Sequence, residues 1–470
     1  MRAKLFYMIV CVSLLFTSCN EESTGNIFEL NAPQECDFEL KTDSVRVNNQ
    51  EIDNVVKSIL PKARSGNGNY TLNTITDKEN NPLYYIVNYE SNGGFVLISA
   101  TKNFHPVLAY NTTGNFNING NMPDGLQLWK GQTEELISYS SDFTPEQKDQ
   151  FRNLWKQYEN RENTTTFTPE SRSGDRPDWY YDAQTIVMNK RLELASQGYE
   201  VYSYSDDFTS DNSFNEEVRD FIRGYIYPEY EDYYEDLSII VLNPFHVEIE
   251  NTPNFVLTTW NQDNGYNSAY PILSNDSIAS VGCVPLAIGQ IMRHYQYPAR
   301  FNWSNMPLNS PNSTISSFLL DVTERCNGSY TIYGTSAYLT DGEDALNFYG
   351  YNANIGEHSP GRVYANIKAR KPVIMSGDNI TKGTGHAWIV SGANFKRTKE
   401  TIEVWTFNTS TDFRCCYTSE RNHLDEFHFY MNWGWGGYYN AFYNDNNLYI
   451  SGNGYRYIQT DNIYDISPNN

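Results

Sequence analysis

Cys283 stands in the run Ser280-Val281-Gly282-Cys283-Val284-Pro285-Leu286-Ala287-Ile288-Gly289-Gln290-Ile291-Met292, where small residues give way to an apolar segment. Val284, Ala287, Ile288, Ile291, Met292 and Tyr295 fall on one stripe at helical spacing. Proline is tolerated only in the first turn of a helix, so Pro285 puts Cys283 at a helix N-terminus. Unpaired N–H groups and the positive end of the helix dipole stabilise a thiolate there. The competing reading is a buried structural cysteine, common for this residue type. A position directly after Gly282 favours reactivity.

A reactive thiol needs a base. His386, in Gly383-Thr384-Gly385-His386-Ala387-Trp388-Ile389-Val390, follows a glycine turn and heads an apolar strand, so its ring can face a cleft. His105, His246 and His428 suit a satisfied core histidine, and His294 lies three turns along the Cys283 helix, too far to serve. Asn432, in Met431-Asn432-Trp433-Gly434-Trp435-Gly436-Gly437, offers a side-chain carbonyl that could accept from the far imidazole nitrogen and fix its tautomer. Trp433 or Trp435 would shield that bond from water. Gln262, in Thr259-Trp260-Asn261-Gln262, could donate its amide to an oxyanion. The chain order Gln, Cys, His, Asn is that of papain-like cysteine proteases, although the Cys-to-His spacing is shorter than the ~130–150 residues of papain itself.

These residues need a scaffold, and the chain is long enough to build one. Its 470 residues are 39% apolar and 15% aromatic, with 37 Tyr, which excludes a disordered chain. A net charge of −23 argues against nucleic acid as a partner. A mean hydropathy of −0.60 and a single apolar run, at the N-terminus, argue against a multi-span membrane protein. That run, Leu5 to Phe16 behind Arg2 and Lys4, reads as an export signal. Phe16-Thr17-Ser18-Cys19 then resembles a bacterial lipobox with Phe16 where Leu is usual, and makes Cys19 the candidate for lipidation. The expected location is outside the cytosol: a lipoprotein on the outer membrane or cell surface, or a protein secreted after processing. Cys36, Cys326, Cys415 and Cys416 are scattered without a CxxC pair, so no metal site is expected, and a disulfide among them stays open.

The organisation follows from composition and periodicity. Residues 1–18 are the signal peptide and 19–40 a polar, lipid-anchored tether. Residues 41–158 read as a small α+β domain: a helix over Val55 to Leu60, a hairpin of Leu83–Tyr89 and Phe95–Ala100, and helices from Leu126 to Tyr158 starting near Thr144. Residues 159–251 are a linker and activation segment or an insertion, with Arg172 the leading candidate for a maturation cut and the acid- and Tyr-rich Glu229–Asp236 expected at the surface. Residues 252–470, with Gly-rich turns and short aromatic strands, form a second, larger α+β domain.

The segments Gly282-Cys283-Val284, Gly385-His386-Ala387-Trp388, Asn432-Trp433-Gly434-Trp435-Gly436-Gly437 and Trp260-Asn261-Gln262 together resemble the streptopain family of papain-like cysteine peptidases. Gly93-Gly94-Phe95-Val96-Leu97-Ile98-Ser99-Ala100 with Pro106-Val107-Leu108-Ala109-Tyr110 is similar to that family's inhibitory prodomain. Pro285, and the length of 165–250, depart from the pattern. The resemblance implies an α+β, two-lobed catalytic domain at 252–470, with Cys283 on the helical lobe and His386 on the antiparallel β lobe. It implies a prodomain acting as intramolecular inhibitor, protein or peptide substrates, no cofactor, and membrane contact only through the N-terminal lipid. A peptidoglycan-cleaving Cys-His hydrolase and a non-enzymatic binding protein on a peptidase fold are the alternatives.

Overall fold

A computed structural model of the chain describes residues 45–60, 69–159, 176–197, 199–203, 221–379, 384–445 and 461–469. The signal, lipobox, Cys19, Cys36 and the Arg172 neighbourhood lie outside the described residues.

The first domain starts with α1 (Asn49–Ile59), whose Asn48 cap and Glu51 side chain form a reciprocal capping box. A four-stranded antiparallel meander follows: β1 (Tyr70–Thr76), β2 (Pro82–Tyr89), β3 (Phe95–Ser99) and β4 (Val107–Asn111). Then come α2 (Asp124–Tyr139) and α3 (Pro145–Trp155), the latter capped by Thr144 with Gln147 completing the box.

The region read as linker or insertion is folded where it is described. It contributes α4 (Asp178–Ser196), β5 (Glu200–Ser203) and β6 (Ile239–Thr252). Tyr230 and Tyr234 are buried, so the acid- and Tyr-rich stretch is not simply surface; its rings fill a core while its carboxylates point out. That core is shared with Val404 and Phe407.

The last domain brings α5 (Cys283–Tyr295), α6 (Ser313–Arg325), the small hairpin β7 (Ser329–Thr331) and β8 (Gly334–Ser336), and α7 (Leu339–Phe348). After β9 (Tyr351–Gly356) and α8 (Pro360–Lys368) come β10 (Val373–Asn379), β11 (Thr384–Thr409), β12 (Asp412–Asn432), β13 (Ala441–Asn444) and β14 (Asn462–Pro468). The main sheet runs β1-β2-β3-β4-β13-β12-β11-β10-β14-β9, and β6 pairs with the outer half of β11. The first domain and the last thus share one sheet, joined where Tyr110 faces Phe442 and Ala109 faces Tyr443.

Alternation along β11 sorts the core into two layers, because successive strand residues face opposite sides. Ala387 and Ile389 pack with α5, α6 and α7, whereas Trp388 and Val390 pack with Leu126 and Trp129 of α2. Helix α5 is buried all round from Val284 to Met292, not only along the expected stripe. It is a central helix, enclosed by α6, α7 and the sheet.

Candidate active site

Cys283 is the first residue of α5, as Pro285 required. Gly282 before it has φ 89°, and a Cβ there would meet the Thr335 carbonyl oxygen at 2.9 Å, so glycine is needed on both counts. Val281 N–H donates to the Gln262 carbonyl (2.9 Å), which brings Gln262 beside the Cys283 turn. Thr335 Oγ1 donates to the Ser280 carbonyl (2.5 Å) and steadies the other side.

His386 lies near the start of β11, opposite Gly377 on β10. Its Nε2 is 3.2 Å from the Trp433 carbonyl oxygen. A carbonyl only accepts, so Nε2 carries the proton and Nδ1 is the nitrogen left for the thiol. Cys283 and His386 are hydrogen-bonded to each other through their side chains. Burial alone would push the Cys283 thiol up. The bond to His386, the imidazole's charge and the N–H groups of Ala387 and Val284 bring it below the ordinary thiol value. Burial would likewise push His386 down, but Cys283, the Trp433 carbonyl and the Asp124 carboxylate hold it above the ordinary imidazole value. The two shifts are coupled, and each favours the ionised form of its group.

The structure does not bring the Asn432 side chain to His386. Its Nδ2 donates to the Thr258 carbonyl (2.8 Å) and to Gln290 Oε1 (3.3 Å), and its Oδ1 accepts from Gly434 N–H (3.1 Å). Gln290 Oε1 also accepts from Trp260 N–H (3.2 Å). Asn432 therefore ties α5, the Trp260 segment and the turn after β12 together, and the neighbouring backbone carbonyl of Trp433 takes the place expected for it. Gly434, at φ 74°, turns the chain there. The Trp433 ring is fully buried against Trp388, its Nε1 held by the Tyr439 carbonyl (3.1 Å), and Trp388 lies nearly parallel to the His386 ring. Trp435 is half-buried and bridges to Asn261, away from the imidazole bond.

Sequence profiles divide the chain along the same lines. The Spi protease inhibitor profile matches residues 46–137, and the Peptidase C10 family profile matches 260–301 and 299–443. Residues 260–443 are thus similar to the peptidase C10 family, behind a segment similar to Spi protease inhibitors. A curated relative, the thiol protease/hemagglutinin PrtT of Porphyromonas gingivalis, is 25% identical over 224 residues; the match takes in 39% of this chain and 22% of that protein. Among solved structures, a prointerpain A fragment from Prevotella intermedia covers 84% of this chain and 98% of its own at 14% identity and TM-score 0.45. Active interpain A from the same organism covers 45% and 93% at 17% identity and TM-score 0.33.

Four contributors to this site escaped sequence reasoning. The Trp433 carbonyl and the Ala387 N–H are backbone groups and leave no residue-type signal. Gly125 and Asp124 come from the inhibitor domain, at the start of α2. A Cβ on Gly125 would lie 2.7 Å from His386 Cδ2 and 2.8 Å from the Trp433 ring, so α2 seats directly against the imidazole. His294 is held elsewhere, edge to face with Tyr295. Cys326, Cys415 and Cys416 are free thiols, and no group of three or more potential metal ligands occurs among the described residues.

Proposed function

We propose that this chain is an exported, lipid-anchored zymogen of a cysteine endopeptidase, with residues 41–158 as its inhibitor domain. The observation that carries this reading is the Cys283–His386 pair: a helix-N-terminal thiol bonded to an imidazole whose far nitrogen is fixed by a carbonyl.

The Cys283 thiolate attacks the scissile carbonyl carbon, and the π electrons move to oxygen. That oxyanion is stabilised by the Gln262 amide and the Cys283 backbone N–H. On collapse, the C–N bond breaks and His386 delivers its Nδ1 proton to the leaving amine, giving an acyl-enzyme. His386 then takes a proton from water, whose oxygen attacks the thioester carbonyl, and the carboxylic acid leaves as Cys283 regains its thiolate. The Trp433 carbonyl holds the ring's tautomer and tilt throughout. Export rests on Met1 to Ser18 and anchoring on Cys19.

Maturation is proposed to cut within 160–175, at Arg172 first. Strand β6 pairs with β11 from Trp405 to Ala393, and Tyr180, Val187, Val201, Ile222 and Tyr230 share a core with Val404 and Phe407, so these segments stay with the mature enzyme. The test is incubation of full-length wild type and Cys283→Ala with casein and, separately, peptidoglycan, followed by intact mass and N-terminal sequencing. Casein cleavage by wild type alone, with a new N-terminus before residue 178, is expected. Cleavage of peptidoglycan only, or casein cleavage by Cys283→Ala, overturns the reading.

A further inference from the structure

A second group of buried ionisable side chains lies where the inhibitor domain joins the catalytic sheet, away from Cys283. His428, on β12, donates from Nε2 to the Val107 carbonyl of β4 (2.9 Å). Glu426, two residues earlier on the same face, is 3.4 Å from His105 Nδ1 through Oε1 and 3.6 Å from Lys396 Nζ through Oε2. Lys396 also donates to Gln157 of the inhibitor domain. The catalytic domain thus supplies Glu426, Lys396 and His428, and the inhibitor domain covers them with His105, Val107 and Gln157. A cavity of about 730 Å³ opens among these groups.

The titratable and charged groups facing His428 are Glu426 and Tyr430 on its own strand, Lys396 on β11, His105 before β4, Tyr110 on β4 and Tyr158 after α3. Glu426 is the one carboxylate lining the cavity among the described residues, and Lys396 and His105 already lie against it. A proton on His428 would place another cation beside Lys396 with no further anion to meet it. The same proton is tolerated once Val107 and Tyr110 withdraw and water reaches the ring.

We propose that this cluster is a proton-operated latch: acid charges His428, and strand β4 of the inhibitor domain then parts from β13. The proposal rests on reading residues 41–158 as the inhibitor domain of the peptidase. Burial, with His105 and Lys396, holds His428 down at about 4, while Glu426 and the Val107 carbonyl act the other way. An exposed imidazole titrates near ~6.5. The parted state therefore binds protons more readily. The closed state is fully stable above ~6.5 and loses stability as pH falls from there toward 4.

The test is amide hydrogen exchange across β4 and β13 in the full-length, uncut Cys283→Ala protein, corrected for the intrinsic pH dependence. Lowering pH from about 7 to about 5 should raise the opening equilibrium roughly twenty-fold. His428→Gln, which keeps an N–H donor without titrating, should remove that response. No acid response in the parent, or an equal response in His428→Gln, overturns the latch. Should His428→Gln fail to fold, the parent's His428 ring can be titrated by NMR: an inflection below ~5 supports the latch and one near ~6.5 overturns it. None of these readouts uses proteolysis, so a failed peptidase reading would show separately, as inactive wild type with the exchange result unchanged.

Discussion

His386 and His428 lie on neighbouring strands of one sheet, and each exposes 7% of its surface. Burial pushes both imidazoles toward the neutral form, yet His386 rises above its ordinary value and His428 drops to about 4. The difference lies in the neighbours. His386 meets a thiol that can become an anion, with a carbonyl behind it and Asp124 nearby. His428 meets a carboxylate already engaged by Lys396 and His105. The same residue type in the same sheet is thus pushed toward the charged form at one end and toward the neutral form at the other.

The sharpest way to break the comparison is to remove the imidazole at each end. His386→Ala should lower kcat/KM by ~10³-fold or more, since thiol and imidazole act as one unit, and the double variant with Cys283→Ala should be scarcely worse than either single. His428→Gln should leave the kcat/KM of the matured enzyme within about threefold of wild type, because its bond is to the departed inhibitor strand. A large loss in the second variant would mean that the two ends are not independent.

Asn432→Ala comes next. It removes the side chain that ties α5 to the turn bearing the Trp433 carbonyl, leaving buried partners unpaired at a cost of ~1–3 kcal/mol each. A lower Tm together with a lower kcat/KM is expected. Lost activity at unchanged Tm would return Asn432 to a direct role at His386. Gly125→Val should be smaller in free energy but informative in sign. The added carbons meet His386 and Trp433, and overpacking of this kind costs ~1–3 kcal/mol. The inhibitor domain should bind less tightly, so the full-length chain should process faster at equal concentration. Slower processing would mean that α2 does not restrain the site. The smallest effect belongs to Asp124→Asn, which removes one carboxylate favouring the imidazolium. The titration of the uncut chain should shift His386 down, and by less than the loss of Cys283 does, as expected for the last and weakest of its favourable neighbours.

Much of the catalytic end was legible in the sequence because it depends on residue types with strict backbone demands. Gly282 and Pro285 marked the start of α5, and Gly385 with the apolar run after it marked β11. The partner of His386 was misread for a physical reason. An asparagine carbonyl and a peptide carbonyl offer the imidazole the same acceptor, and only the fold decides which arrives; here Asn432 is consumed by Thr258, Gln290 and Gly434. The stripe on α5 suggested one buried face, but a helix enclosed by the sheet, α6 and α7 has none to spare for solvent. The length of β11 and β12 was also illegible. Their outer halves alternate weakly and become strands by pairing with each other and with β6, a long-range condition. The latch was least visible of all, since His105, Lys396 and the Glu426–His428 pair are far apart in the chain and meet only where two domains share a sheet.

The central claim is that Cys283 and His386 form a thiolate–imidazolium pair within the folded chain. Its most direct test is a pH titration of thiolate ultraviolet absorbance in full-length protein, taken as the difference between wild type and Cys283→Ala and repeated with His386→Ala as the parent. The account predicts a thiolate signal with its midpoint below the ~8.5 of a free thiol, and a return toward or above ~8.5 once His386 is removed. A wild-type midpoint at or above ~8.5, or one that His386→Ala leaves in place, would contradict it.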